Sequence, residues 1–213
     1  MFSNAEHFCG CIAIDFTDGG LDAGVGHQQG RVKGARVDPF IPNSPNWDIA
    51  DARVLVARLE GVFLTHLHSD HIAEIPDVNL TRWATSGTAQ PLKVYGPAGV
   101  AQVVDGFNQA FGLDRDYRVA HHGVDFMPIT GGQAEAVTIT PGVVFSEAGL
   151  TVTAFTVDHH PINPAYGYRV DYGGRSVVIS GDTVNTPSLW AAAEGADGGD
   201  SLPRPHVQHE LRR

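Results

Sequence analysis

The chain has 213 residues, 42% hydrophobic and 18% charged, which is enough apolar material for one sizeable core, and a single domain is the expectation at this length. Fourteen Lys and Arg stand against 24 Asp and Glu, a formal net charge of −10, so the broad basic footprint of an electrostatic nucleic-acid binder is missing. No run approaches the roughly 18 apolar residues of a membrane span, and residues 1–10 do not read as a leader peptide, so a soluble, cytoplasmic protein with no membrane partner is expected.

In chain order, Cys9 and Cys11 come first, one residue apart, too close for an easy disulfide and too few for a structural zinc site. Residues 18–46 carry Gly and Pro at short intervals with little periodicity and offer little core. Residues 62–64 form an apolar run of the kind buried on both faces of a sheet. A short helical stripe follows, with Leu80, Trp83 and Ala84 on one face, Asp77 as its N-cap and Gly87 as its end. Over residues 99–111, Val100, Val103, Val104, Phe107 and Phe111 recur at three- and four-residue steps and predict a core-facing helix. Strands dominate the second half. Residues 150–157 alternate, 177–179 are continuously apolar, and 166–171 with 175–180 flank Tyr172, Gly173 and Gly174, a glycine pair suited to a tight hairpin. Residues 198–213 are polar with Pro203 and Pro205 and read as a disordered tail.

Histidine carries the chemical signal, because seven of the eleven fall into three tight groups. His66, His68, Asp70 and His71 follow directly on the run at 62–64, which places four potential ligands in one turn at a strand end. Such a turn aims His66 and His68 at one ion and Asp70 and His71 at a second. Leu64 and Leu67 anchor the segment near the core, where imidazoles and a carboxylate without partners would be costly. Asp158, His159 and His160 end the alternating strand, and Ser180-Gly181-Asp182-Thr183 ends the last apolar run with a carboxylate able to bridge two cations. His121 and His122 form the remaining pair. They either donate a proton to a leaving group or hold an anionic substituent, or they are surface residues, and the two readings stand equal.

These residues resemble the metallo-β-lactamase superfamily and, within it, the ribonuclease Z-like hydrolases. The resemblance is carried by Thr65-His66-Leu67-His68-Ser69-Asp70-His71, Val94-Tyr95-Gly96-Pro97, the stretch Tyr117 to Gly123, His159 with Tyr166-Gly167-Tyr168-Arg169, and Ser180-Gly181-Asp182-Thr183. It covers residues 59–197 and implies an α+β fold, the four-layer αββα sandwich, incomplete at both ends. The implied domain is 1–197, with 1–58 matching poorly and 198–213 left as the tail. The resemblance also implies that His66, His68 and His159 hold one Zn2+, that Asp70 and His71 hold a second, and that Asp182 bridges them; Mn2+ and Fe2+ are the alternatives. His160 would stand behind His159 or face substrate. The implied nucleophile is a hydroxide shared by the two ions, oriented or deprotonated by Asp70, with Asp70, His121 and His122 as the catalytic candidates.

Two departures qualify the resemblance. Ile12-Ala13-Ile14-Asp15 resembles the family's second strand, but its glycine-rich first strand is not evident. Beyond Asp197 an acidic His-Glu motif and a last histidine ligand lack counterparts, although His206 and His209 lie in the tail. Truncation or a shift of reading frame would explain both, leaving a weakened second metal site and an open sheet edge that invites a homodimer. On the net charge, and on Asp114, Asp116, Asp125 and Glu135 beside Arg115 and Arg118, a small ester or phosphodiester is favoured as substrate over RNA. Transfer-RNA 3′ processing and a non-catalytic metal-binding remnant are the alternatives.

Overall fold

The structure, a computed structural model, describes residues 56–199 and, before them, the backbone of four strands: β1 (Cys11–Thr17), β2 (Gly20–Val25), β3 (Gly30–Val32) and β4 (Ala35–Val37). Cys9, the tail from residue 200 with His206 and His209, and all of residues 38–55 lie outside the described residues.

From residue 59 onward the order is β5 (Leu59–Leu64), α1 (Ser69–Ile72), α2 (Ile75–Ser86), β6 (Leu92–Gly96), α3 (Val100–Ala110), α4 (Gly112–His122) and a 3-10 turn (Ile129–Gly132). It continues with β7 (Ala134–Thr138), β8 (Gly142–Glu147), β9 (Leu150–Thr156), β10 (Tyr166–Tyr172), β11 (Arg175–Ile179), α5 (Pro187–Ala193) and β12 (Gly198–Gly199). Among the described residues, one five-stranded sheet has the order β2-β1-β5-β6-β7 and a second has β12-β11-β10-β9-β8, while β3 and β4 form a separate ribbon.

The two-residue period of β5 sorts its side chains between two cores. Phe63 faces the second sheet, in a cluster with Tyr95, Leu150, Val152, Ala154, Tyr168 and Ile179. Val62 and Leu64 face the other way, against Ile75, Leu92, Val94, Val100 and Val104, so α2 and α3 cover the outer side of the first sheet; Leu59 joins that side because the pairing of β1 with β5 shifts register between Ile14 and Asp15. Helix α5 covers β9, β10 and β11 on the outer side of the second sheet. The result is the expected αββα layering. Between the sheets Phe63 stacks on Tyr95 with centroids 4.4 Å apart and 8° between planes. Gly61 makes room for that stack, since a Cβ there would come within 2.8 Å of the Tyr95 ring.

The predicted hairpin is present, with Gly173 and Gly174 at φ +57° and +76° between β10 and β11. Gly87 ends α2 at φ +61°, as expected. Four expectations need correction. Helix α2 begins at Ile75 behind Glu74, so Asp77 sits in the first turn and is not the cap; Pro76, with its preset φ, starts the helix earlier. Phe111 is 45% exposed because α3 ends there and the chain turns at once into α4, carrying the ring off the sheet, while Val100 and Val104 are buried as predicted. Within residues 18–46, strands β2, β3 and β4 are formed, and β1 lies between β2 and β5. Strands β3 and β4 are three residues each, too short for a period to show, whereas β1 does alternate, with Ile12, Ile14 and Phe16 at every second position. Likewise β12 adds parallel to β11 just past residue 197, one short step into the expected tail.

Candidate metal centre

The three predicted strand ends meet at one place. His66 and His68 follow β5, His159 follows β9, and Asp182 follows β11. Nε2 of His66 lies 3.0 Å from Nδ1 of His68, and that Nδ1 lies 3.4 Å from Nε2 of His159. The three ligand atoms all fall within 4.8 Å of one another, as do those of a second group, His66, His71 and Asp182. His66 belongs to both groups. Its ring centroid is 4.7 Å from that of His68, 4.1 Å from His71 and 4.6 Å from His159. Asp182 lies between the two sides, with Oδ2 3.6 Å from His71 Nε2 and 3.8 Å from His159 Nε2. Asp70 stands at the rim: its carboxylate is about half exposed and its Oδ2 is 3.5 Å from His71 Nε2.

Local structure explains the convergence. After His68, in extended backbone, one turn of helix α1 turns the chain so that Asp70 and His71 return toward β5. His66 has no exposed surface and His71 only 3%. Burial, helped by the neighbouring His71, pushes the His66 imidazole down to about 4, so it is neutral and able to donate a lone pair at neutral pH. Burial alone would raise the Asp182 carboxyl, but His71, with help from His66 and His159, outweighs it and holds the group below the usual carboxylate range. The cluster thus sets a neutral, buried His66 and an ionised Asp182 carboxylate beside His68, His71 and His159, mutually crowded over a buried floor, and this donor set fits divalent metal.

Supporting groups that the sequence reading did not single out hold the strand ends. The Tyr168 hydroxyl, fully buried on β10, donates to the Leu64 carbonyl at 2.6 Å and ties the second sheet to the first just before His66. Thr183, next to Asp182, accepts the Asp158 N–H at 3.1 Å, while the Val184 N–H donates to the Asp158 carbonyl at 3.0 Å, so the segments bearing His159 and Asp182 are laced together. Both residues stand inside motifs already noted, yet only the packing reveals their role. His160 is exposed, with its backbone N–H bonded to the Asp158 carboxylate. His121 and His122 end α4 in exposed positions; their rings are 4.6 Å apart, and His122 approaches Phe126. Neither belongs to the ligand-atom groups found among the described residues.

Comparison with known proteins bears on the family and the fold. The model of the beta-lactamase superfamily domain matches residues 32–200. A ribonuclease Z from Mycobacterium marinum is 45% identical over 142 residues, 66% of this chain and 50% of that protein, so the chain spans about half the length of this relative. Among solved structures, the metallo-beta-lactamase fold protein YhfI from Bacillus subtilis is similar at a TM-score of 0.52 and 17% identity, covering 87% of this chain and 61% of that one. The short form of human tRNase Z gives 0.50 and 17%, covering 88% and 73%. The ribonuclease relatives overturn the preference for a small-molecule substrate over RNA. Net charge sums over the entire chain, whereas cleavage is decided where the backbone phosphate meets the site. Among the described residues no helix is long and apolar enough to cross a membrane. By its sequence match and its layered sheets, the chain belongs to the beta-lactamase superfamily.

Proposed function

We propose that this protein is a metal-dependent, ribonuclease Z-like hydrolase that cuts an RNA phosphodiester, with the 3′ side of precursor transfer RNA as the substrate its relatives suggest. The observation that carries the reading is the convergence of His66, His68, His159, His71 and Asp182 from three separate strand ends. In this reading His66 and His159 offer Nε2 and His68 offers Nδ1 to one Zn2+, and His71 with Asp70 serves a second, Asp182 lying between them. Bound divalent ions would supply Lewis acidity and a water that ionises near neutral pH. Asp70, at the open rim, orients the attacking water and takes up its proton, because its carboxylate is the more exposed of the two, 52% against 27% for Asp182. Buried His66 and His71 fix the geometry of the floor and move no proton. His121 and His122, at the exposed end of α4, serve a leaving group only if RNA brings that surface to the site.

The test pairs elemental analysis of the purified protein with cleavage of a precursor transfer RNA and of a bis-aryl phosphodiester at several salt concentrations. Two metal ions per chain and RNA cleavage that weakens as salt rises are expected, with the small ester much less affected. Turnover of the small ester alone, or one ion with no turnover, would overturn the proposal.

A further inference from the structure

Thr65 closes β5 immediately before the first ligand. It is 1% exposed, and its Oγ1 lies 3.1 Å from Nδ1 of His66. Its position is boxed in by β10 and by the turn that follows β11. The Thr65 carbonyl accepts the N–H of Tyr166 at 2.9 Å, and Gly181, at φ +61°, packs so closely that a Cβ there would come 2.9 Å from both Cβ and Cγ2 of the threonine. The hydroxyl therefore sits at a fixed place between His66 and the residue that precedes Asp182.

A neutral imidazole carries one proton, so a ring that offers Nε2 to a cation must carry it on Nδ1. In His66 the nitrogen turned toward the other ligands is Nε2, 3.0 Å from His68, and the nitrogen turned away meets Thr65. With the ring fully buried, bulk water does not compete for that Nδ1–H, and a buried donor left without an acceptor is costly. We infer that Thr65 is a positioning residue of the metal centre: its hydroxyl oxygen accepts the Nδ1–H of His66 and so keeps Nε2 free to act as a ligand. The inference rests on the metal-binding reading above, and it concerns the imidazole common to both ligand groups.

Zinc affinity, measured by competition with a chromophoric chelator, tests this on the wild type, Thr65→Val and Thr65→Ser, with denaturation of each metal-free protein alongside. Valine keeps the branched shape and loses the acceptor, so zinc binding should weaken roughly 10- to 100-fold, the usual effect of removing a group that orients a ligand. Serine restores the oxygen and should bind close to wild type. Unchanged affinity in Thr65→Val, or an equal loss in both variants, overturns the inference. A second measurement needs no variant: in zinc-loaded wild type, nitrogen-resolved NMR of the imidazoles should show a slowly exchanging proton on Nδ1 of His66. A rapidly exchanging Nδ1 proton overturns the assignment. Wild-type protein that takes up no zinc overturns the metal reading, and this inference with it.

Discussion

His159 and His160 are neighbours in sequence with opposite surroundings, which makes them a sharp comparison at the residue scale. His159 points Nε2 at His68 and Asp182, whereas His160 is exposed and held through its backbone. His159→Ala should weaken zinc binding by more than the roughly 10- to 100-fold that an outer-shell change costs, and His160→Ala should leave it nearly unchanged; metal titration of both variants checks the ranking. Acid gives a second expectation for the metal-free protein. The His66 imidazole falls to about 4 in the fold against 6.5 in the unfolded chain, so between these values the unfolded chain binds a proton that the fold does not. The contribution of His66 is therefore constant above about pH 6.5 and is lost progressively as pH falls toward 4. Urea midpoints of the metal-free protein should drop across that window, and a midpoint flat from pH 7 to 4.5 would contradict the burial of His66.

Among the elements, the site depends on how β5, β10 and β11 are joined, and this is where sequence and structure part company. Apolar runs at 62–64 and 177–179 and the alternation over 150–157 were readable as strands, and the ligand motifs at their ends pointed to a shared centre. The bonds that align those ends were not readable, because Tyr168 and Thr183 are ordinary strand and turn residues until tertiary packing gives them partners. Tyr168→Phe removes the buried hydroxyl that meets the Leu64 carbonyl and leaves that oxygen without this donor, which should cost about 1–3 kcal/mol in chemical denaturation and loosen metal binding. Gly181→Ala combines a left-handed backbone with a 2.9 Å approach to Thr65, and it should cost about 2 kcal/mol or more and displace Asp182. Denaturation curves together with zinc titration separate these two effects.

At the level of the whole molecule, layering was legible because each core has its own signature. Alternation along β9 and the helical stripe of α3 announce a two-sided sheet covered by helices, and the resemblance supplied the arrangement. Composition pointed away from RNA, and the ribonuclease Z relatives overturn that preference: a net charge of −10 describes the far field, whereas a site selects its substrate at contact range. The sequence reading also passed over the strands within residues 18–46, of which β3 and β4 are three residues each and too short for a period to show, whereas β1 was legible in Ile12-Ala13-Ile14-Asp15.

One contact has a kinetic meaning. His68 and His159 meet across 91 positions of sequence, and Asp182 arrives later still. No fragment that stops short of Asp182 holds the whole cage, so full ion capture must wait until the distant β-layers have docked. During synthesis on the ribosome the ligands emerge one cluster at a time, and the first histidine turn holds an unfinished seat until the final carboxylate has left the exit tunnel. Uptake of the cation would thus mark a late folding event and could serve as a clock for it.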